Sequence, residues 1–413
     1  MPSAASTAKQ SRSALAIEGG TPVRLSALPP WPHFGEEELA AVSRVLESGR
    51  VNYWTGEEGK RFEREYAAYC GREFALSLAN GTVALELALH ALGIGSGDEV
   101  VVPCRTFIAS ASAVVLRGAK PVMADVDVDS QVITASTLRA AITPKTRAVI
   151  VVHLAGWPCD MDSIMAVAQE HGLKVIEDCA QSHGARWRGR PVGSFGDAAA
   201  FSFCQDKILT TGGEGGMLLL DDEEAWNRAW SYRDHGKSYQ AMFAERRSEG
   251  FHWVHDSFGT NWRMTEMQAA IGRVLLRDLD RQVARRRENA RFLNSRLDRC
   301  PGVRPTVPTD DAYHSYYKYY FFLRPEALKS GWTRDRVVAA INAEGIPATS
   351  GHCGEIFRER AFNTVGRPEG RLAVAEELFA TAVMCPVHPT LERRDLDDIA
   401  NAIEKVMHSS ARA

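Results

Sequence analysis

Between residues 74 and 220 the chain alternates short, wholly apolar runs with longer stretches whose apolar residues recur at helical spacing. FALSLA (74–79), EVVVP (99–103), PVMADVD (121–127), AVIVVHLAG (148–156), KVIEDCA (174–180), AAAFSF (198–203) and GGMLLL (215–220) predict strands. TVALELALHALG (82–93), IASASAVVLRG (108–118), STLRAAI (136–142) and DMDSIMAVAQEHG (160–172) predict the helices between them; the last opens on an acidic cap and ends in glycine. Strands this apolar have no solvent face. Joined mostly through helices, they predict an α/β fold: a mostly parallel, seven-stranded sheet covered on both faces. Ligands in such sheets gather at the carboxyl ends of strands, where Asn80-Gly81-Thr82, Asp178, and Ser202 with Lys207 all lie.

Beyond this region the period changes. Residues 264–298 read as one long, arginine-rich helix, and the proline-rich PGVRPTVPTDD (301–311) marks a boundary. A strand, YYKYYFFL (316–323), and helices at 334–345 and 394–408 then predict a smaller α+β domain. The expected division is a frayed start at 1–14, a large domain at 15–300 and a small one at 301–413. With 413 residues, 45% hydrophobic and 24% charged, the chain has the makeup of a soluble protein with a large core. A net charge of -3 offers no footprint for nucleic acid or an anionic membrane. The eight cysteines include no CxxC pair, the N-terminus has no apolar signal core, and no apolar run is long enough to span a bilayer; these predict a cytoplasmic protein.

The chemistry concentrates in FSFCQDKILTTGGEGG (201–216), where Lys207 stands between a strand and a glycine-dense turn. A lysine so placed suits a Schiff base with a cofactor aldehyde. Pyridoxal phosphate further requires a carboxylate at its ring nitrogen, donors for its phosphate and a cover for one ring face. Asp178 ends an apolar strand and needs a partner there. Gly81 and Thr82 open a helix whose amides, with a hydroxyl, can hold an anion, and Ser202 can add its own hydroxyl. Phe107 is placed to stack on the ring and Gln181 to bond the ring hydroxyl.

The segments ANGTVALELALHALGIGSGDEVVVP, VIEDCAQSHGA, FSFCQDKILTTGGEGG and NWRMTEMQAA resemble the DegT/DnrJ family of sugar aminotransferases. These are fold-type-I, pyridoxal-phosphate enzymes of the aspartate aminotransferase superfamily. The resemblance implies that Lys207 carries the cofactor, that Asp178 meets the pyridine nitrogen with Gln181 beside it, and that Ser202, Gly81 and Thr82 bind phosphate. It also implies that Asn261 reaches the phosphate of a neighbouring subunit, making a homodimer with a shared site. Arg263 would then anchor the donor's carboxylate, and His314 would approach the sugar. Some relatives are dehydratases with histidine at the lysine position, so Lys207 favours transamination.

His183 is a second proton carrier, a substrate-orienting residue or a hydrogen-bonded loop histidine. Arg105, a departure from the family pattern, either modifies substrate choice or points to solvent. His153 and Trp157 are expected near the cleft. The SGHCGE turn (350–355) reads as a segment entering the cleft and not as a metal site, and 237–256 reads as a substrate-facing loop. Three readings follow: amination of a nucleotide-linked keto-sugar by glutamate or glutamine, in polysaccharide or natural-product biosynthesis; the same reaction on a free cyclitol or aminoshikimate-type ring; and a non-enzymatic regulator. The intact Lys207 and Asp178 disfavour the last.

Overall fold

The computed structural model describes residues 14–243 and 252–412. Residues 1–13, expected to fray, and the middle of the expected substrate loop lie outside the described residues. The main strands are β1 (Phe74–Leu78), β2 (Glu99–Pro103), β3 (Lys120–Ala124), β4 (Thr146–Val152) and β5 (Lys174–Asp178). After the two-residue β6 (Arg186–Trp187) and β7 (Arg190–Pro191) come β8 (Ala198–Ser202) and β9 (Gly216–Leu220). Seven of these form one sheet in the order β1-β9-β8-β5-β4-β2-β3. The pairs from β3 through β2, β4 and β5 to β8 are parallel. β9 runs antiparallel between β1 and β8, because a loop, not a helix, joins β8 to β9 and so turns the chain back.

The strand expected to run to residue 156 ends at Val152. A tight turn over Leu154–Gly156 follows, with Ala155 at φ 58°. Gly156 is required there: its φ is +95°, and an added Cβ would stand 2.6 Å from Ser315 Oγ and 2.9 Å from the Tyr316 amide. The turn is where the segment 314–317 docks, as the amides of Ser315 and Tyr317 donate to the carbonyls of Gly156 and Ala155 at 2.9 Å.

The helix Glu266–Leu297 starts at Thr265, whose hydroxyl and Gln268 form a capping box. Its last turns send Leu293 and Leu297 into a separate core with Val303, Phe321, Val383 and Ile403. That core sits on a small antiparallel sheet of β10 (Val303–Pro305), β12 (Tyr319–Leu323) and β13 (Ala382–Cys385), while β11 (Ala312–Tyr313) pairs back onto β6. Residues 15–24, placed with the large domain on sequence, pack on this smaller unit. Leu15 enters its core, Glu344 accepts from the amides of Ala16 and Val23, and Arg24 pairs with Asp395 and Asp398. All eight cysteines are free. No helix among the described residues is long and apolar enough to cross a membrane.

Candidate active site

Strand register assembles the site. Leu78 and Ser202 both pair with Gly216, so the ends of β1 and β8 lie one strand apart. Beyond Leu78, Asn80 caps the helix Gly81–Ala91, its Oδ1 accepting from Val83 N at 3.0 Å. The first amides of that helix, at Gly81 and Thr82, have no carbonyl one turn back and point outward with the positive end of the helix dipole. Ser202 stands against them: a Cβ on Gly81 would lie 2.5 Å from Ser202 Cβ and 3.1 Å from its Oγ. Ser202 Oγ accepts a long bond from Cys204 N at 3.4 Å, which leaves its proton to donate. Amides, hydroxyl and a gap with no side chain make an anion cradle.

Asp178, at the end of β5, pairs in register with Val152 and Ala200. It is 6% exposed. Oδ2 accepts from Ser110 Oγ at 2.8 Å and Oδ1 from Ala180 N at 3.2 Å. Burial pushes this carboxyl above its usual range, against the pull of Ser110, Ala180 and the charge of Lys207. The Lys207 ammonium lies 4.8 Å from the centre of the Tyr317 ring, and its carbonyl accepts from Trp31 Nε1 at 3.0 Å. Neighbouring Asp206 accepts from the Tyr317 hydroxyl and pairs with Lys318 at 3.3 Å. Phe107 is 61% exposed, out of place for a phenyl ring unless something covers it.

Gln181 is engaged at both ends of its amide. Oε1 accepts from Ala155 N at 2.8 Å, which fixes Nε2 as the donor to His352 Nε2 at 2.9 Å. His352 thus enters from the SGHCGE turn, and burial with the nearby Arg105 holds it down to about 3. Arg105 neither reaches solvent nor lines the cleft. It is fully buried, giving Nε and an Nη to Gln131 Oε1 at 3.0 and 2.9 Å and its other Nη to the carbonyls of His352 and Cys353 at 3.1 and 3.4 Å. The arginine therefore pins the turn that carries His352.

Four further residues stand apart from these groups within the single chain; of them Asn261 and Arg263 were expected at the site of a neighbouring subunit. His183 is fully buried among Tyr66, Phe201 and Phe203. Nε2 donates to the Ser202 carbonyl and Nδ1 accepts from the Tyr66 hydroxyl, both at 2.8 Å, so it braces the strand end as a loop histidine. His314 is 4% exposed, stacked on Tyr316 at 3.8 Å and accepting from the Tyr316 amide. Arg263 is held in an ion pair with buried Asp234. Asn261 is exposed; its segment is tied beside β1 by the Ala79 amide donating to the Trp262 carbonyl at 2.8 Å.

His153, expected near the cleft, lies inside the core with Glu177 and Cys179 in a three-ligand cluster within 4.8 Å. Hydrogen bonds occupy it: Glu177 accepts from the amides of Gly193, Phe195 and Gly196 at 2.7, 2.7 and 2.9 Å, and His153 Nε2 lies 3.1 Å from the same carboxylate. Ser110, Trp31, Tyr317 and His352 were not assigned site roles from sequence. Each joins the site through a contact between distant parts of the chain.

Residues 32–404 match the DegT/DnrJ/EryC1/StrS aminotransferase family. A solved aminotransferase from Psychrobacter cryohalolentis is 48% identical with a TM-score of 0.90, covering 92% of this chain and 99% of that one. The dTDP-3-amino-3,4,6-trideoxy-alpha-D-glucose transaminase of Streptomyces venezuelae is 38% identical over 372 residues, 89% of this chain and 92% of its own. The L-glutamine:2-deoxy-scyllo-inosose aminotransferase of Streptoalloteichus tenebrarius is 37% identical over 425 aligned positions, 97% of this chain and 99% of its own. A protein described as a sugar aminotransferase from Streptococcus pneumoniae, solved in PLP-form and PMP-form, matches at 25% and 26% identity with TM-scores of 0.83 and 0.84; each covers 93% or more of both chains. Sheet order, strand-end residues and similarity along nearly the whole length agree: the chain belongs to the DegT/DnrJ/EryC1/StrS family and is an aminotransferase.

Proposed function

We propose that the chain uses pyridoxal phosphate to move an amino group from glutamate or glutamine to a keto-sugar carried on a nucleotide. The observation that carries this reading is the convergence of a half-buried amine, Lys207, and a buried carboxylate, Asp178, that feels its charge, with an anion cradle at the strand ends. The residues fit the cofactor. The gap at Gly81, which a Cβ would fill, suits a phosphate held by Gly81, Thr82 and Ser202. Asp178 has no directly bonded cation and suits a protonated ring nitrogen. Phe107 offers an exposed ring to cover one face, and Gln181 keeps one amide proton for the ring hydroxyl.

When bound there, pyridoxal phosphate supplies an aldehyde carbon that takes up the amino group and a ring that withdraws electrons. Lys207 would hold the cofactor between turnovers; freed by the donor, its Nζ would carry the proton from the donor's α-carbon to the cofactor's former aldehyde carbon, and in the second half-reaction from that carbon to the acceptor's carbonyl carbon. Asp178 stays ionised to keep the ring nitrogen protonated, and Phe107 keeps water from one ring face. Asn261, exposed in the single chain, would complete the phosphate site of a second copy in a homodimer. The fully exposed Phe258, close by in sequence, supports a covered surface there.

A cyclitol ketone is the second reading, favoured by the 97% span of the match to the inosose aminotransferase. The test begins with purified protein and pyridoxal phosphate, followed by glutamate or glutamine, then uridine- and thymidine-diphosphate keto-sugars and scyllo-inosose. Amination of a nucleotide-linked ketone supports the first reading; amination of inosose alone selects the second. No visible absorbance and no borohydride-trapped peptide at Lys207 would discard both.

A further inference from the structure

Asp178 must remain an anion in a buried place, and the groups around it differ in how dependably they help. Its carboxylate receives two hydrogen bonds, from Ala180 N at 3.2 Å and from Ser110 Oγ at 2.8 Å. Ser110 is 1% exposed and lies in the first turn of the helix Ala109–Leu116. Thr106, itself 2% exposed, places its Oγ1 3.0 Å from Ser110 Oγ. An ionised carboxylate only accepts, so the Ser110 proton is committed to Asp178 and Thr106 must be the donor to Ser110. The chain of donors therefore has one direction, Thr106 to Ser110 to Asp178, and each bond polarises the next.

The remaining charge facing the carboxylate is that of Lys207, which favours its ionised form; His153 accepts from the Cys159 amide at Nδ1 (3.0 Å) and turns Nε2 to Glu177 (3.1 Å). The adjacent Cys179 thiol is driven up by burial and stays neutral. Glu177, one residue before, is an anion already bonded to His153 and three amides. Lys207 is the one supporting group whose charge the proposed reaction changes, because its amine is engaged with the cofactor or carrying a proton. Ser110 has no such second task.

Resting on the function proposed above, we infer that Ser110, oriented by Thr106, is a positioning residue that keeps Asp178 ionised and aimed throughout the cycle, and so sets how firmly the cofactor's ring nitrogen holds its proton. The hydroxyl touches neither cofactor nor substrate; it acts through the carboxylate.

The experiment reconstitutes wild type, Ser110→Ala and Ser110→Thr with pyridoxal phosphate labelled with ¹⁵N in the ring. The nitrogen resonance is then followed from about pH 6 to about pH 9, a range that brackets neutrality. Wild type is expected to hold the ring proton through neutrality and to lose it only near the alkaline end of the range. Ser110→Ala should lose it at a pH about one unit lower than wild type does, a tenfold change in the proton equilibrium, with weaker cofactor binding to the apo-protein. Ser110→Thr, which keeps the hydroxyl, should restore the wild-type curve. Superimposable curves for Ser110→Ala and wild type would overturn the inference. If Ser110→Ala does not fold, Thr106→Val removes the upstream donor and should shift the resonance in the same direction by less; an unshifted curve there overturns it equally. Wild type that binds no cofactor would sink the functional reading as well, whereas wild type with a protonated nitrogen indifferent to both variants sinks this inference alone.

Discussion

Lys207→Ala is expected to lower transamination by about 10³-fold or more, the scale of a general base's contribution, and to leave nothing for borohydride to trap. Steady-state rates and peptide mapping check both. Gly81→Ala is a finer probe, because its Cβ would arrive 2.5 Å from Ser202 Cβ and 3.0 Å from its Cα, so that the Ser202 backbone has to shift. It should cost about 1–3 kcal/mol of stability through overpacking and weaken cofactor binding more than Thr82→Ala, as read by thermal melts and cofactor titration. The places of Asp178 and Ser202 at strand ends, with Gly81 and Lys207 just beyond, were legible in the sequence because the period of the pattern breaks there. For His183 the loop-histidine alternative matches its buried hydrogen bonds; the burial of His314 against Trp157 and Tyr316 was not legible, because Trp157 reaches it only once distant segments pack. Arg105 was misjudged for the same reason: its partners Gln131, His352 and Cys353 lie 26 or more residues away.

The turn at 352–356 is held by long-range bonds, including Ile356 N to the Cys104 carbonyl at 2.9 Å. Arg105→Met keeps the bulk of the side chain but removes every donor to Gln131 and to the turn. Amides at 352–356 are expected to exchange hydrogen faster in this variant while the sheet stays protected, and mass-spectrometric exchange would show it. Unchanged protection at the turn would mean that Arg105 is not what pins it. Asn80→Ala removes the cap of the helix that forms the phosphate cradle and should cost about 1 kcal/mol, measured by denaturant melts of the apo-protein. Periodicity identified the strands and most helices of the sheet region, since strand and helix signals rest on residues a few positions apart. It missed the end of β4, where the chain turns into a positive φ at Ala155 and the carbonyl there accepts from the distant Tyr317 amide.

Two copies are proposed to share each site, and hybrid dimers test this directly. In a Lys207→Ala/Asn261→Ala hybrid, one site would carry both lesions and the other neither, so mixing two inactive proteins should restore activity. Without sharing, every site carries a lesion and mixing restores nothing. Acid should unfold the chain for a reason distributed over the molecule. Burial is the largest cause in each case and holds His183 and His352 to about 3 and His90 and His388 to about 4. An unfolded histidine takes up its proton at about 6.5. The unfolded chain therefore binds more protons between these limits, and stability should fall as pH drops from about 6.5 toward about 4. Denaturant midpoints across that range check the sign. The linear order of apolar runs, with an aspartate at the end of one and a lysine just past another, was enough to specify a mostly parallel α/β sheet with both residues at its strand ends, because those signals depend on near neighbours and on the fixed geometry of strands. The bracing of the site by Trp31, Ser110, Gln181 and His352, and the docking of residues 15–24 on the small domain, arise from contacts across hundreds of residues. Such contacts leave no local periodicity, and they exist only once the two cores have packed.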